Sequence, residues 1–253
     1  MAREQVNSIL RALRILECFS DSSKEWTLKT LVAELELPTT TVFRQLSTLV
    51  EKQYLVQDPI RKNYQVGPML LVLAGSILGQ SDLRQAARPE LERLSEIVQE
   101  TVNLCILVEH DIFYLDKVET HRSIACNTKI GGRAPAYATS SGKIILANCE
   151  EAAIEEYCAW MQTAKPLTPA TITDPNQLKA ELALAKTNGY AVDNGEIESG
   201  LICLGAPVYD LSGHVIAAVS VAGPDYRMRQ EQERIVEETK KTAKQISYLL
   251  GYR

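Results

Sequence analysis

Val6, Ile9, Leu10, Leu13, Leu16 and Phe19 recur at steps of three and four, which predicts a first helix whose single apolar stripe is a packing face. A second stripe, Leu28, Leu31, Val32 and Leu35, starts directly after Thr27, a residue suited to capping a helix, and Pro38 forces a break or a fresh start. In a third helix Val42, Leu46, Leu49 and Val50 fall on one side, while Thr40, Arg44, Ser47 and Thr48 fall on the other. Two short helices around a tight turn form a helix-turn-helix. The runs 54–57 and 63–66 are rich in β-branched and aromatic residues, and the turn between them carries Arg61 and Lys62, which predicts a two-stranded wing.

Residues 68–80 (PMLLVLAGSILGQ) are strongly apolar and predict a connecting helix that also supplies dimer contacts. From Asp82 the pattern changes. A helix with periodic Leu91, Leu94, Ile97 and Val98 is followed by strands predicted at 102–108, 112–118, 124–130, 190–192, 201–209 and 215–222, with helices between them. A hairpin turn at 210–214 joins the last two strands, and a charged helix with apolar Ile235, Ile246 and Leu249 is predicted over 230–250. The fold class is therefore α+β in two domains: a winged helix-turn-helix over 1–66, a linker helix over 67–81, and a second domain over 82–253 with a mostly antiparallel sheet.

The outward face of the third helix suits double-stranded DNA. Thr39, Thr40 and Thr41 lie at its first turn, where hydroxyls and backbone N–H groups can meet phosphates, and Arg44 is long enough to fork onto a guanine edge. Ser47 shares that face, and Arg61 and Lys62 tip the wing. The helical spacing by itself fits an ordinary three-helix packing unit equally well; the cationic wing favours the DNA reader.

Charge refines the picture. The 253 residues carry a net −5, but residues 1–65 hold nine Lys/Arg against eight Asp/Glu, whereas the remainder holds 18 against 24. So small a basic surplus predicts weak binding by a single head, and hence a homo-oligomer, a dimer or dimer of dimers, on a palindromic operator. Six cysteines without a C-x-x-C pair, and an N-terminus without an apolar signal core, point to the reducing cytoplasm. No apolar run reaches the roughly 20 residues that would span a bilayer. His110, His121 and His214 show no metal-ligand spacing, so neither metal nor cofactor is expected. Two rival classes stay open: an enzyme with Cys203 as nucleophile and one of these histidines as base, and an architectural DNA-binding protein whose second domain only oligomerises.

The ordered segments LPTTTVFR (37–44), the run from Gly131 to Tyr137 leading into ATSSGK (138–143), GYAVDN (189–194) with Glu196, GLIC (200–203), APVYD (206–210) and SVAGP (220–224) together resemble the IclR family of bacterial transcriptional regulators over nearly the whole chain. The resemblance implies a winged helix-turn-helix joined by a helix to a GAF-like effector domain that controls catabolic genes and is not an enzyme. It also implies an effector pocket where the turn Ser140, Ser141, Gly142 opens a helix and faces Asp193, Cys203 and Ser220. Free N–H groups at a helix start attract a carboxylate, so a small organic acid is the implied effector, a sugar acid or keto acid first. Asp193 would accept a hydrogen bond from a hydroxyl or repel a second negative charge. This chain departs from the family pattern at Glu36, where Gly is common, at Thr39, where a cation is common, and at Ala222, where a second serine is common.

Overall fold

The structure, a computed structural model, describes residues 6–20, 24–73, 82–122, 126, 128–161 and 164–253. The chain divides into two compact units, residues 1–80 and 81–253.

In the first unit, α1 (Asn7–Cys18), α2 (Leu28–Leu35) and α3 (Thr39–Glu51) precede the hairpin of β1 (Leu55–Gln57) and β2 (Tyr64–Val66). Thr27 caps α2 in a capping box with Thr30, each side chain taking the other's backbone N–H. The turn leaves α2 through Glu36, whose φ of 54° lies in the left-handed region where glycine is the unstrained choice. Ile15, Leu31, Leu35, Val42, Leu46 and Leu55 are buried together, and Trp26 pins the wing by accepting the Tyr64 N–H through its carbonyl at 2.7 Å.

The α1 stripe departs from expectation. The helix packs through Ile15, with Leu16 and Phe19 half-buried, and leaves Val6, Ile9, Leu10 and Leu13 between 41% and 60% exposed. A period of 3.6 fits two neighbouring faces here, and this fold uses the Ile15 face. Of the expected linker helix, residues 68–73 are helical and residues 74–81 lie outside the described residues.

The second unit is built on one six-stranded sheet in the order β5-β4-β3-β8-β7-β6, with every neighbouring pair antiparallel. Its strands are β3 (Thr101–Val108), β4 (Asp111–Val118), β5 (Arg133–Pro135), β6 (Ala191–Asn194), β7 (Leu201–Tyr209) and β8 (Val215–Pro224). Alternation along each strand gives the sheet two different faces. Val102, Leu104, Ile202, Leu204, Val219 and Val221 pack against Leu91 and Leu94 of α4 (Asp82–Val98) and against Ile235 and Ile246 of α9 (Gln232–Leu249). The other face carries Asn103, Cys105, Cys203, Ser220 and Ala222, and is covered by α5 (Ser140–Leu146), α6 (Glu151–Met161) and α7 (Pro175–Asn188).

One predicted element needs correction, and one helix was not predicted. The described residues of the predicted strand 124–130 do not form one: Cys126 and Thr128–Ile130 are irregular, Ile124, Ala125 and Asn127 lie outside the described residues, and the edge strand is the three-residue β5. The reason is the buried Lys117 ammonium, which donates to the carbonyls of Thr128 (2.7 Å) and Cys126 (3.4 Å), so a side chain serves those groups in place of a ladder. The predicted closing helix is α9, with Leu249 51% exposed, and a short helix that the pattern did not predict, α8 (Asp225–Gln230), precedes it across Glu231.

Candidate nucleic-acid interface and ligand cavity

On α3 the three buried residues Val42, Leu46 and Leu49 fix the rotation of the helix and turn its polar side outward. Thr39, Thr40, Arg44 and Ser47 are exposed, and Thr41 is half-buried. The hydroxyls of Ser47 and Thr48 donate to the carbonyls of Phe43 (2.9 Å) and Arg44 (3.1 Å), which leaves their oxygens as acceptors on that face. Phe43, which sequence reasoning passed over, is 53% exposed beside them and offers an apolar surface of the kind that meets a thymine methyl. In the wing, Asp58 Oδ1 accepts the N–H groups of Ile60 (2.8 Å) and Arg61 (2.9 Å), and Lys62 takes a φ of 58°. This tight turn holds the exposed Arg61 and Lys62 at its tip.

In the second unit, a cavity of about 310 Å³ opens on the polar sheet face. Register explains its wall. Asn103 pairs with Ser220, and Ser220 with Gly205; one row along, Ala222 pairs with Cys203, and Cys203 with Asp193. A Cβ on Gly205 would sit 2.9 Å from the Ser140 backbone carbon, so the missing side chain lets the start of α5 lie close on the sheet. Thr139 caps α5 by accepting the Gly142 N–H at 3.0 Å.

Five of the six residues expected in the pocket, Ser140, Ser141, Asp193, Cys203 and Ser220, line this one cavity. Gly142 does not line it. Its N–H is committed to Thr139, and a Cβ there would lie 2.2 Å from the Ala136 carbonyl oxygen, so this glycine serves close packing rather than a ligand. The cavity also takes Asn103, Tyr114 and Cys126, together with Lys129, Arg133 and Glu198, none of which carries a sequence pattern that marks it.

The electrostatics centre on Asp193, which is fully buried. Its Oδ1 accepts the Glu196 N–H at 2.7 Å, while its Oδ2 is buried with no hydrogen-bond partner. Burial pushes its carboxyl up to about 6. Beside it Lys143, 1% exposed, forms an ion pair with Glu196, whose carboxyl burial also pushes up. Burial drives the Cys203 thiol well above its ordinary range, and the Asp193 carboxylate pushes it further. Cys105 is held up, at about 12, by the same cause. A thiol so disfavoured as thiolate is a poor nucleophile, and none of His110, His121 and His214, the bases the enzyme alternative requires, lines the cavity with it. Among the described residues no group of three or more His, Cys, Asp or Glu could hold a metal ion, and no helix is long and apolar enough to cross a membrane.

Comparison with known proteins gives matches over both units. Residues 8–59 match the IclR helix-turn-helix domain, and residues 75–248 match the family described as bacterial transcriptional regulator IclR C-terminal. The Pca regulon regulatory protein of Pseudomonas putida is 32% identical over 86% of this chain and 74% of its own. The HTH-type transcriptional regulator XynR of Escherichia coli (strain K12) is 30% identical over 98% of both chains. Among solved structures, an IclR homolog from Microbacterium hydrocarbonoxydans complexed with 4-hydroxybenzoate is 28% identical, with a TM-score of 0.85, over 96% of this chain and 99% of that one.

Proposed function

The chain belongs to the IclR family of bacterial transcriptional regulators, DNA-binding proteins with a C-terminal effector-binding domain, and on that premise we propose that its operator binding is governed by a small organic acid held in the 310 Å³ cavity. The relatives are transcriptional regulators, a family not known as enzymes. The observation that carries the acid is the make-up of the cavity. Lys129 and Arg133 bring positive charge to it, set against the carboxylates of Asp193 and Glu198, and Ser140, Ser141 and Ser220 bring hydroxyls, on walls that also hold Ile112, Ile197, Leu201 and Ala222. The volume sits at the small end of the usual range for ligand pockets, roughly 300–1,000 Å³. The complex of a relative with 4-hydroxybenzoate agrees with such a guest. A thermal-shift panel of small carboxylic acids tests the reading: a binder should raise the melting temperature and also change duplex affinity. A panel in which no acid does either would overturn it.

In this reading α3 enters the major groove, with Thr39, Thr40, Thr41, Arg44 and Ser47 toward the duplex and the wing cations Arg61 and Lys62 on phosphates. Replacing Arg44 with Ala is expected to cost about 1–3 kcal/mol on the specific site and to relax base preference there. Replacing Lys62 with Ala should instead weaken all duplexes alike and flatten the salt dependence. Titrations of both variants against matched and mismatched sites separate the two effects, and unchanged binding by Arg44→Ala would dislodge the helix from the groove.

The exposed Val6, Ile9, Leu10 and Leu13 support a homo-oligomer, because an apolar stripe on a helix favours a second copy over water. Effector binding then favours one arrangement of the paired subunits, and so one spacing of two readers on a palindromic operator. Leu13→Glu should lower cooperative operator binding, and sedimentation of the variant at the wild-type mass with undiminished cooperativity would remove the stripe from the assembly.

A further inference from the structure

We propose that the effector is a hydroxy acid rather than a keto acid: a carboxylic acid whose hydroxyl, set apart from the carboxylate by an apolar body, donates a hydrogen bond to Oδ2 of Asp193. The inference rests on the organic-acid reading and deepens it.

Asp193 is the starting point. Its side chain is fully buried on the cavity wall, one oxygen is satisfied by the Glu196 N–H, and the other has no partner. Among the nearby donors, the Tyr114 hydroxyl lines the same cavity but makes no hydrogen bond to that oxygen, and the others are committed or weak. The Lys143 ammonium is spent on Glu196 Oε1, and the Cys203 thiol is a weak donor. The hydroxyls of Ser141 and Ser220 lie in hydrogen-bonding contact with the Cys105 thiol. A buried carboxylate oxygen without a donor is costly, and a ligand that displaces water from it without replacing the hydrogen bond inherits that cost. A ketone oxygen is only an acceptor, so it would set lone pairs against a carboxylate; a hydroxyl supplies the missing proton.

Strand order gives the ligand its polarity. Arg133 lies on β5 and Asp193 on β6, the two opposite edges of the six-stranded sheet, yet both line the same cavity. The carboxylate belongs at the β5 end, where Arg133 and Lys129 supply cations, and the donor belongs at the β6 end. On the strands between the ends the lining is mixed: Ile112, Leu201 and Ala222 are apolar, while Asn103, Tyr114, Cys203 and Ser220 are polar. Such a lining accommodates an aryl ring or a short alkyl chain that carries the hydroxyl to the β6 end.

The test is calorimetric, on the full chain, with two matched pairs: 4-hydroxybenzoate against 4-fluorobenzoate, and 5-hydroxyhexanoate against 5-oxohexanoate. In the wild type the hydroxyl member of a binding pair should be favoured by about 10- to 100-fold, the usual range for a hydrogen bond to a charged group. Asp193→Ala should bring the members of each pair within about threefold of one another, since no acceptor is left. Asp193→Asn, which turns an acceptor oxygen into an amide donor, should shift the second pair toward the oxo acid. Equal or tighter binding of the fluoro or oxo member to the wild type overturns the inference and leaves the organic-acid reading standing, as does a hydroxyl preference that survives Asp193→Ala. If none of the four acids binds, the organic-acid reading itself falls and this inference falls with it.

Discussion

Replacing Lys143 with Met is expected to lower the stability of the protein by about 3–5 kcal/mol at pH 8, the usual consequence of removing one partner from a buried ion pair. Lys143 is 1% exposed and Glu196 is 4% exposed. With the ammonium gone, the Glu196 carboxylate would keep a weak contact from the Asn194 N–H at 3.5 Å, while its Oε2 already has no partner. The loss should shrink as pH falls. Burial already pushes the Glu196 carboxyl up, Lys143 is the main influence lowering it, and without Lys143 the carboxyl would take a proton more readily still. Adding Glu196→Gln should therefore restore most of the stability, because it removes the uncompensated charge. Urea unfolding at pH 8 and pH 5 for both variants checks this; a loss under 1 kcal/mol with no pH dependence would mean that water reaches the pair.

The Asp193→Asn variant should move in the opposite direction and be more stable than the wild type when no ligand is bound. With a folded value of about 6 against an ordinary 3.8, the buried carboxylate costs on the order of 3 kcal/mol at neutral pH. The sign follows from the order of titration. Below pH 3.8 neither the folded nor the unfolded chain is ionised at this residue, so there is no penalty. As pH rises, the unfolded chain releases its proton first, so the wild type loses stability until the folded carboxyl titrates near 6, and the penalty is constant above that. Glu196, Lys143, Cys203, Cys126 and Tyr114 surround the group but are shared by both proteins, so the difference between the two pH profiles isolates Asp193. An asparagine keeps the acceptor for the Glu196 N–H but buries an amide donor, which reduces the expected gain to about 2 kcal/mol, roughly 4–8 °C in melting temperature. Thermal melts of wild type and variant from pH 4 to 8 should diverge between pH 4 and 6. Parallel curves, or a less stable variant, would show that the carboxylate is not held against its preference. The destabilised carboxylate has a use if a ligand hydroxyl relieves it, since stability is then traded for binding.

Much of the fold could be read from period alone. In the 201–209 strand Ile202, Leu204, Ala206 and Val208 alternate with Leu201, Cys203 and Gly205, and in the next strand Val219 and Val221 alternate with Ser220 and Ala222; the apolar sets bury and the small or polar sets face the cavity. The helix-turn-helix was similarly legible, down to the Thr27 cap. Failures came where one residue overrides a pattern. Cys126, Thr128 and Ile130 alternate like a strand, but Lys117, on the preceding strand β4, takes the carbonyls of Cys126 and Thr128. In α1 the periodic stripe and the buried face differ because the helix is anchored by the buried Ile15, with Leu16 and Cys18 packed beside it, and not by Val6, Ile9, Leu10 and Leu13.

The cavity divides in the same way. Asp193, Cys203 and Ser220 were placed by the family resemblance and not by local pattern, whereas Asn103, Tyr114 and Arg133 line the same cavity with no local spacing to mark them. Gly142 came with the same turn by resemblance, and in the structure its missing Cβ lets two backbones touch.

Asn103, on the cavity wall, stands between Val102 and Leu104, which sit in the same apolar cluster as Leu91 and Leu94 of α4 on the reverse of the sheet. A guest that displaces this strand therefore presses on the first helix of its domain through a single layer of side chains, about 10 Å thick. The partition between metabolite and lever is one strand wide, and close packing gives it no slack in which a small push could be lost.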